Sequence, residues 1–317
     1  MRAAVVYNPV KIDLDAVRAV VEREEAAAGW EPTLWFETSR EDPGRGPTLE
    51  AVEAGVDLVI AAGGDGTVRL VAETLAEHGT TLALLPSGTG NLLARNMDLT
   101  LDDVEHSLHT AFNGRNRPID LGHIEIRRTD GTVDEHSFLV MAGLGIDAEM
   151  LAATDEELKA KVGWLAYVKA IATALRATNT SRLQYRLDDG PLKRLRAHTV
   201  IVGNCGTLTG NILLLPDAAL DDGLFDVLLL SPEGIGHWLQ ILGKVFIENG
   251  IIRRTPLKHL VGRRHVEALN YVTAQTVSVT LAEAQQIELD GDHLGRATGF
   301  RTRVRPGAIT IRVPADS

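Results

Sequence analysis

Cysteine is nearly absent: Cys205 stands alone in 317 residues, so no intramolecular disulfide framework can form, and the chain suits a reducing compartment. Positive charge is also short, with 32 lysines and arginines against 43 aspartates and glutamates and a formal net charge of -11. A general nucleic-acid binder needs a basic footprint, which this balance excludes. No apolar window approaches the ~18 residues of a membrane-crossing helix. The opening MRAAVVYNPV reaches Asn8 and Pro9 too early for a secretory leader. The expectation is a cytoplasmic chain that meets lipid, if at all, transiently and from the water side. No HExxH and no Cys/His spacing marks a zinc site. GxxxxGK[ST] is missing, and GxGxxG does not follow the first apolar run, which excludes the P-loop and the dinucleotide fingerprint. There is no internal repeat and no low-complexity linker.

What is present is a pair of apolar runs that each stop at glycines. DLVIAAGGDGT (Asp57 to Thr67) is answered by TLALLPSGTGNLLARN (Thr81 to Asn96). Neither run alternates with polar residues, so both read as strands buried on two faces of a parallel sheet. Between them VRLVAETLAEHG (Val68 to Gly79) has helical spacing and a glycine stop. Ligands of open α/β sheets gather at the carboxyl ends of strands, and two such ends carry glycines here. Gly63, Gly64 and Gly66 let backbone approach a ligand, Asp65 adds a carboxylate, and Thr67 can cap the next helix or meet a phosphate oxygen. Ser87, Gly88, Thr89 and Gly90 offer more amides and hydroxyls. The pattern suits a nucleoside triphosphate.

A chain of this length makes one large or two medium domains, and 44% hydrophobic with 24% charged residues supports a sizeable core. Arg2 to Pro9 reads as a first strand, Leu14 to Ala28 as a helix capped by Asp13, Thr33 to Thr38 as a strand, and Thr48 to Gly55 as a short helix. The alternation predicts a doubly wound α/β nucleotide-binding domain over residues 1–120, closing with a helix from Leu99 to Gly114. From 121 to 317 the texture is β-rich and sandwich-like, with packed helices at Leu158 to Thr178 and Glu233 to Gly250. The C-terminal tail is allowed to pack back on the first domain. Exposed edge strands in the second half would allow a homodimer.

Several constellations divide between chemistry and plain structure. Asp290 and Asp292 in QIELDGDHLG form either an ordinary Asp-Gly hairpin or a splayed pair, one carboxylate serving magnesium and the other accepting a proton. ALDDGLF (Ala219 to Phe225) reads equally as a turn or as a loop round a hard cation. Asp147 suits a helix cap as well as a substrate-side role. Arg253, Arg254, Lys258, Arg263 and Arg264 follow an apolar stripe at Trp238, Leu239, Ile241, Leu242, Val245 and Phe246, which fits a core or an anionic bilayer surface.

Taken together the motifs resemble the soluble bacterial lipid kinases related to diacylglycerol kinase, whose catalytic domain is shared with sphingosine and ceramide kinases. They are YNP near the start, GGDGT at 63–67, LPSGTGN at 85–91, IDLG at 119–122, GLGIDA at 143–148, PDAALDDGLFDV at 216–227 and LDGD at 289–292. The resemblance implies an active site in the cleft between the two domains. It implies ATP at Asn8, Pro9, Thr38, Gly63, Gly64, Asp65, Gly66, Thr67, Val68, Arg69, Ser87, Gly88, Thr89 and Asn91. Asp292 would accept the proton of a lipid hydroxyl, with Asp65, Asp120 and Asp290 in a magnesium and water network. A structural magnesium would sit on the carbonyls of Ala219 and Leu224 and the carboxylate of Asp222. The implied reaction is phosphorylation of diacylglycerol at a membrane surface. Another lipid kinase, an NAD-kinase-like enzyme and a catalytically weak nucleotide-binding regulator are the alternatives.

Overall fold

The structure, a computed structural model, describes residues 1–144, 181–197, 199–208, 212–230 and 269–315. The predicted helices at 158–178 and 233–250, Asp147, the apolar stripe and the basic stretch at 253–264 lie outside the described residues.

The first half alternates strands and helices. Its elements are β1 (Arg2–Tyr7), α1 (Leu14–Ala28), β2 (Glu31–Glu37), α2 (Arg45–Glu53), β3 (Leu58–Gly63), α3 (Asp65–Leu75), β4 (Thr81–Pro86), α4 (Leu92–Asn96) and α5 (Val104–Asn113). The strands lie in the order β4-β3-β1-β2, all parallel. Both faces of the sheet are covered, which is why its central strands read as unbroken apolar runs. Ala3, Val5 and Ile60 meet Val17 and Val21 of α1 and Leu108 and Ala111 of α5. Ala4, Val6 and Val59 meet Ala51 of α2 and Val71 and Leu75 of α3 on the other side. Asp13 accepts the Ala16 amide at the start of α1, and Gly29 closes it with φ 71°.

The second half is β-rich: β5 (Arg115–Arg127), β6 (Val133–Phe138), β7 (Met141–Leu144), β8 (Ser181–Leu187), β9 (Lys193–Ala197), β10 (Thr199–Gly203), β11 (Thr207–Leu208), β12 (Ile212–Leu213), β13 (Phe225–Leu230), β14 (Leu269–Ala274), β15 (Thr276–Leu289) and β16 (Asp292–Val313). The ladder β14-β13-β10-β7-β15-β16 continues directly into β4. β5 and β6 branch from β16, and β8 and β9 from β15. A second core of Ile124, Phe138, Val202, Phe225, Val277 and Phe300 fills this half. No loop joins the halves. Residue 120 falls inside β5, and β16 runs antiparallel to β5 from Gly299 to Val313, while Ile311 within that run also pairs in parallel with Leu82 of β4.

Candidate active site

β3 and β4 end side by side, Gly63 opposite Pro86, so both glycine loops leave the same edge of the sheet. They touch: a Cβ on Gly88 would lie 2.7 Å from the Gly64 Cα. The Ser87 amide donates to the Gly63 carbonyl at 3.3 Å, and Ser87 Oγ donates to the Leu85 carbonyl at 2.9 Å. Asn91, at φ 48°, folds its side chain back on Gly88. Its Oδ1 accepts the Gly88 amide at 3.0 Å and its Nδ2 donates to the Gly88 carbonyl at 2.8 Å.

Asp65 ties the two loops together. Its carboxylate accepts the Asn91 amide at 3.0 Å and the Leu92 amide at 2.5 Å, so it caps α4 from 26 or 27 residues away. Burial raises its pKa above the usual carboxylate value, the two amides pull it down, and the nearby charge of Asp292 raises it. The helix that Asp65 opens is capped at Gly64 by no side chain. Its first amides, unpaired within the helix as at any helix start, lie where the first glycine loop ends, a donor set suited to phosphate.

The tip of the β15–β16 hairpin closes over this helix end. Asp290 and Gly291 have φ 50° and 90°, and Leu289 pairs with Asp292, the geometry of a two-residue type I′ turn. The turn sends its two carboxylates apart. Asp290 is 3% exposed and accepts the amides of Leu139, Val140 and Met141 at 2.8, 2.9 and 2.9 Å. Burial pushes its pKa up to about 6 against the pull of those amides and of Arg69. Asp292 stays half-exposed, its Oδ2 accepting Arg69 Nη2 at 3.0 Å. Arg69 itself is 5% exposed, with its Nε buried and unpartnered. A Cβ on Gly66 would come within 2.7 Å of Asp292 Oδ2, so glycine at 66 is what lets the carboxylate rest on the helix end.

Asp120 works one layer back. Buried in β5, it accepts the Gly223 amide at 2.7 Å and the Gly307 amide at 2.8 Å, and its own amide donates to the Leu220 carbonyl at 2.7 Å. It thereby pins the 219–224 loop to the bulge of β16 between Arg305 and Ile309. In that loop Asp222 is exposed and accepts the Leu224 amide at 3.0 Å, while Ala219 and Leu224 are half-buried. Asp226 follows, its pKa pushed up to about 6 by burial and then by Asp222 and Asp217.

The predicted residues thus fall into three groups. Gly63 to Arg69, Ser87 to Asn91 and Asp292 converge at the loops. Asn8, Pro9 and Thr38 close the ends of β1 and β2, where Asn8 Oδ1 accepts the Val10 amide at 3.1 Å and the Thr38 amide donates to the Tyr7 carbonyl at 2.9 Å. Thr67 is buried against Gly63, Val68 is half-buried and Thr89 is exposed. Asp120, Asp290 and the 219–224 loop form the supporting layer. Among the described residues no three His, Cys, Asp or Glu side chains are grouped to hold a metal ion.

Two supporting side chains carry no local signal in the sequence. Asn204, fully buried, donates from Nδ2 to the carbonyls of Asp120 and Leu139 at 2.9 and 3.0 Å. Glu73 accepts the Ser137 amide at 2.7 Å, fastening α3 to β6.

The first half, residues 2–124, matches the family model for the diacylglycerol kinase catalytic domain. Residues 140–313 match the model for the YegS C-terminal NAD kinase beta sandwich-like domain. This chain belongs to the diacylglycerol kinase-like lipid kinases. The diacylglycerol kinase of Bacillus subtilis (strain 168) is 29% identical over 94% of this chain and 92% of its own length. A protein of Pseudomonas fluorescens (strain Pf0-1) named "Probable lipid kinase YegS-like" is 31% identical over 96% and 90%. A diacylglycerol kinase crystal structure from Bacillus anthracis str. Sterne shares the fold with a TM-score of 0.67 at 21% identity, over 98% of this chain and 96% of that one. The two-domain fold and lipid kinase activity follow for this chain, and the family implies ATP as phosphate donor. Among its described residues the lipid kinase has no helix long and apolar enough to cross a membrane.

Proposed function

We propose that this lipid kinase transfers the γ-phosphate of ATP to the hydroxyl of diacylglycerol, giving phosphatidic acid. The observation that carries the reading is the Asp292 carboxylate, held by Arg69 against Gly66 beside two touching glycine loops. A proton acceptor and a phosphate-binding helix end are then adjacent, as in-line phosphoryl transfer requires. The family model of the first half and the name of the Bacillus subtilis relative support diacylglycerol among lipids.

Each residue has a role in this reading. The amides at the start of α3 and in the 87–91 loop bind the phosphates. Asp65 keeps those loops in register. Asp292 takes the proton as the lipid oxygen bonds to the γ-phosphorus and the bond to the bridging oxygen breaks, leaving ADP. Arg69 holds Asp292 in position.

Magnesium fits as a companion of the nucleotide rather than in a ready protein cage, because Asp65, Asp120 and Asp290 have their oxygens on backbone amides. When bound it would offset phosphate charge, with Asp65 the nearest carboxylate of the loops to it. A second magnesium would be held by the carbonyls of Ala219 and Leu224 and the carboxylate of Asp222, beside an Asp226 whose pKa is raised by burial and then by Asp222 and Asp217. The lipid is met by peripheral contact with a membrane.

The test is transfer of labelled γ-phosphate to a panel of lipids in mixed micelles, with NAD as a control acceptor. Diacylglycerol should be labelled by the native enzyme and not by Asp292→Ala, which should still bind ATP. Labelling of another lipid alone would move the substrate, and undiminished turnover in the variant would remove Asp292 from the role of base.

A further inference from the structure

The outer face of the second half gathers arginine that the phosphoryl transfer does not use. Strand alternation decides which residues face outward. On β8, Leu183, Tyr185 and Leu187 take the core side, and on β9 Leu195 and Ala197 do, which turns Arg182, Arg186, Arg194 and Arg196 away from it. Phe300 on β16 and Ile126 on β5 are in the same core, so Arg301 and Arg127 also face out. All six are exposed. Register sets them in rows across the sheet. Arg182 lies directly opposite Arg196, and Gln184 lies between Arg194 and Thr280. Ser278 lies between Arg186 and Arg301, and Gly299 between Thr280 and Arg127.

This concentration is unusual for a chain of net charge -11. Among the described residues, none of Arg127, Arg182, Arg186, Arg194 and Arg301 forms an ion pair. On the same face Glu125 and Glu135 follow Arg301 toward the β6 edge, while four of the six arginines lie on β8 and β9. At that end a cavity of about 490 Å³ is lined on the arginine face by Arg182, Arg194 and Arg196 with Gln184 and Thr280.

We propose that this arginine face docks the lipid kinase on an anionic phospholipid surface. The inference rests on the reading that the acceptor lipid lies in a membrane. A strongly acidic protein is repelled by such a surface unless one face reverses the sign. Guanidinium forks pair with phosphate oxygens two at a time. The face is a sheet of side-by-side strands, a broad array that matches a plane better than a point ligand. Each turnover on diacylglycerol also adds a phosphate to that plane, so the surface becomes more attractive as the reaction proceeds.

The test is co-sedimentation with phosphatidylcholine vesicles, with and without a third of phosphatidylglycerol, for the full chain and for Arg182→Gln/Arg186→Gln/Arg194→Gln/Arg301→Gln. The native protein should bind only the anionic vesicles and release in high salt. The variant should lose on the order of a thousandfold in partitioning, as four surface charges at about 1 kcal/mol each imply. Its turnover of a short-chain, monomeric diacylglycerol should be unchanged, and its loss of activity on vesicles should lie in the apparent KM. Should four replacements disturb folding, Arg186→Gln/Arg301→Gln gives the same contrast on a smaller scale. Equal binding to neutral and anionic vesicles, unchanged binding by the variants, or a change in oligomeric state alone would overturn the proposal. A native protein that binds anionic vesicles yet labels no lipid would leave this face standing and remove the proposed reaction instead.

Discussion

Arg69 and Asp292 are 223 positions apart in the chain and 3.0 Å apart in the molecule. One lies on the first helix after a glycine loop and the other at the tip of a hairpin in the opposite half, so their contact is where the two halves meet over the proposed reacting centre. Arg69 is buried and Asp292 half-exposed, which makes the arginine the fixed member and the carboxylate the one that is held.

Arg69→Lys tests that relation. Lysine keeps the charge but not the planar fork, so Asp292 loses its orientation. A misplacement of about 1 Å can cost ~10²-fold in rate, and kcat should fall by about that order. A pair half open to water contributes only about 0–1 kcal/mol to stability, so the urea midpoint should move little. An unchanged kcat, measured with saturating ATP and lipid, would mean that Arg69 does not orient the base.

Gly66→Ala should separate stability from activity. Residue 66 lies in the first turn of α3, where exchanging glycine for alanine favours a helix by up to about 1 kcal/mol. The new methyl would crowd Asp292 Oδ2, and that side chain can yield only by giving up its bond to Arg69. The midpoint of unfolding should hold or rise while kcat drops. Parallel losses in both would point to a folding defect.

Asp65→Asn keeps one acceptor oxygen and turns an NH2 group toward a backbone amide. One of the amides of Asn91 and Leu92 is then unsatisfied, at about 1–3 kcal/mol. The 88–91 loop loosens, and the KM for ATP should rise several-fold with the lipid KM unchanged. Steady-state kinetics with each substrate varied in turn would show it. The reverse pattern would place Asp65 on the lipid side.

The pH dependence of stability has a definite sign at Asp226. Its folded-state pKa is about 6, against about 3.9 for an unfolded aspartate. Between those values the folded state holds more protons, so this group's contribution to stability falls as pH rises through the window and the loss is complete above about 6. Asp290, also pushed up to about 6, adds in the same direction. The urea midpoint of Asp226→Asn should therefore gain on the native value between about pH 4 and pH 7. Millimolar magnesium should raise the native midpoint more at neutral pH than at pH 5, because protons compete with the ion. Midpoints that run parallel in the two proteins at every pH would sink the assignment.

Much of the first half was legible because its signals are local. DLVIAAGG and TLALLPSG announce buried strands that stop at glycine, and Asp13 and Gly29 bracket α1 as written. The Asp-Gly hairpin at 290–291 was also readable as a turn, and the turn and the divergent carboxylates prove to be the same feature. What stayed hidden depends on distant partners. α4 is five residues long, and its cap is Asp65 from the neighbouring loop, so nothing beside it in the sequence announces a helix. The helix expected from Leu99 starts at Val104 because Asp103 accepts the His106 amide and sets the start. β15 read as two runs because register shifts after Thr280 and Gln286 break its alternation. Nothing in the words LDGD or IDLG told that Asp290 and Asp120 would hold backbone amides.

The passage between the halves is made of paired strands, β5 and β16, and this governs how the cleft can move. A loop hinge swings freely about a few torsions. A two-stranded ribbon resists, because opening it must twist a whole ladder of hydrogen bonds. The gap between phosphate loops and hairpin tip is thus set by the elasticity of a sheet, stiff about its rest position and quick to return to it. On the proposed reading, an enzyme jointed in this way meets its lipid in much the arrangement it already holds, and the orientation in which it lands decides whether the hydroxyl reaches Asp292.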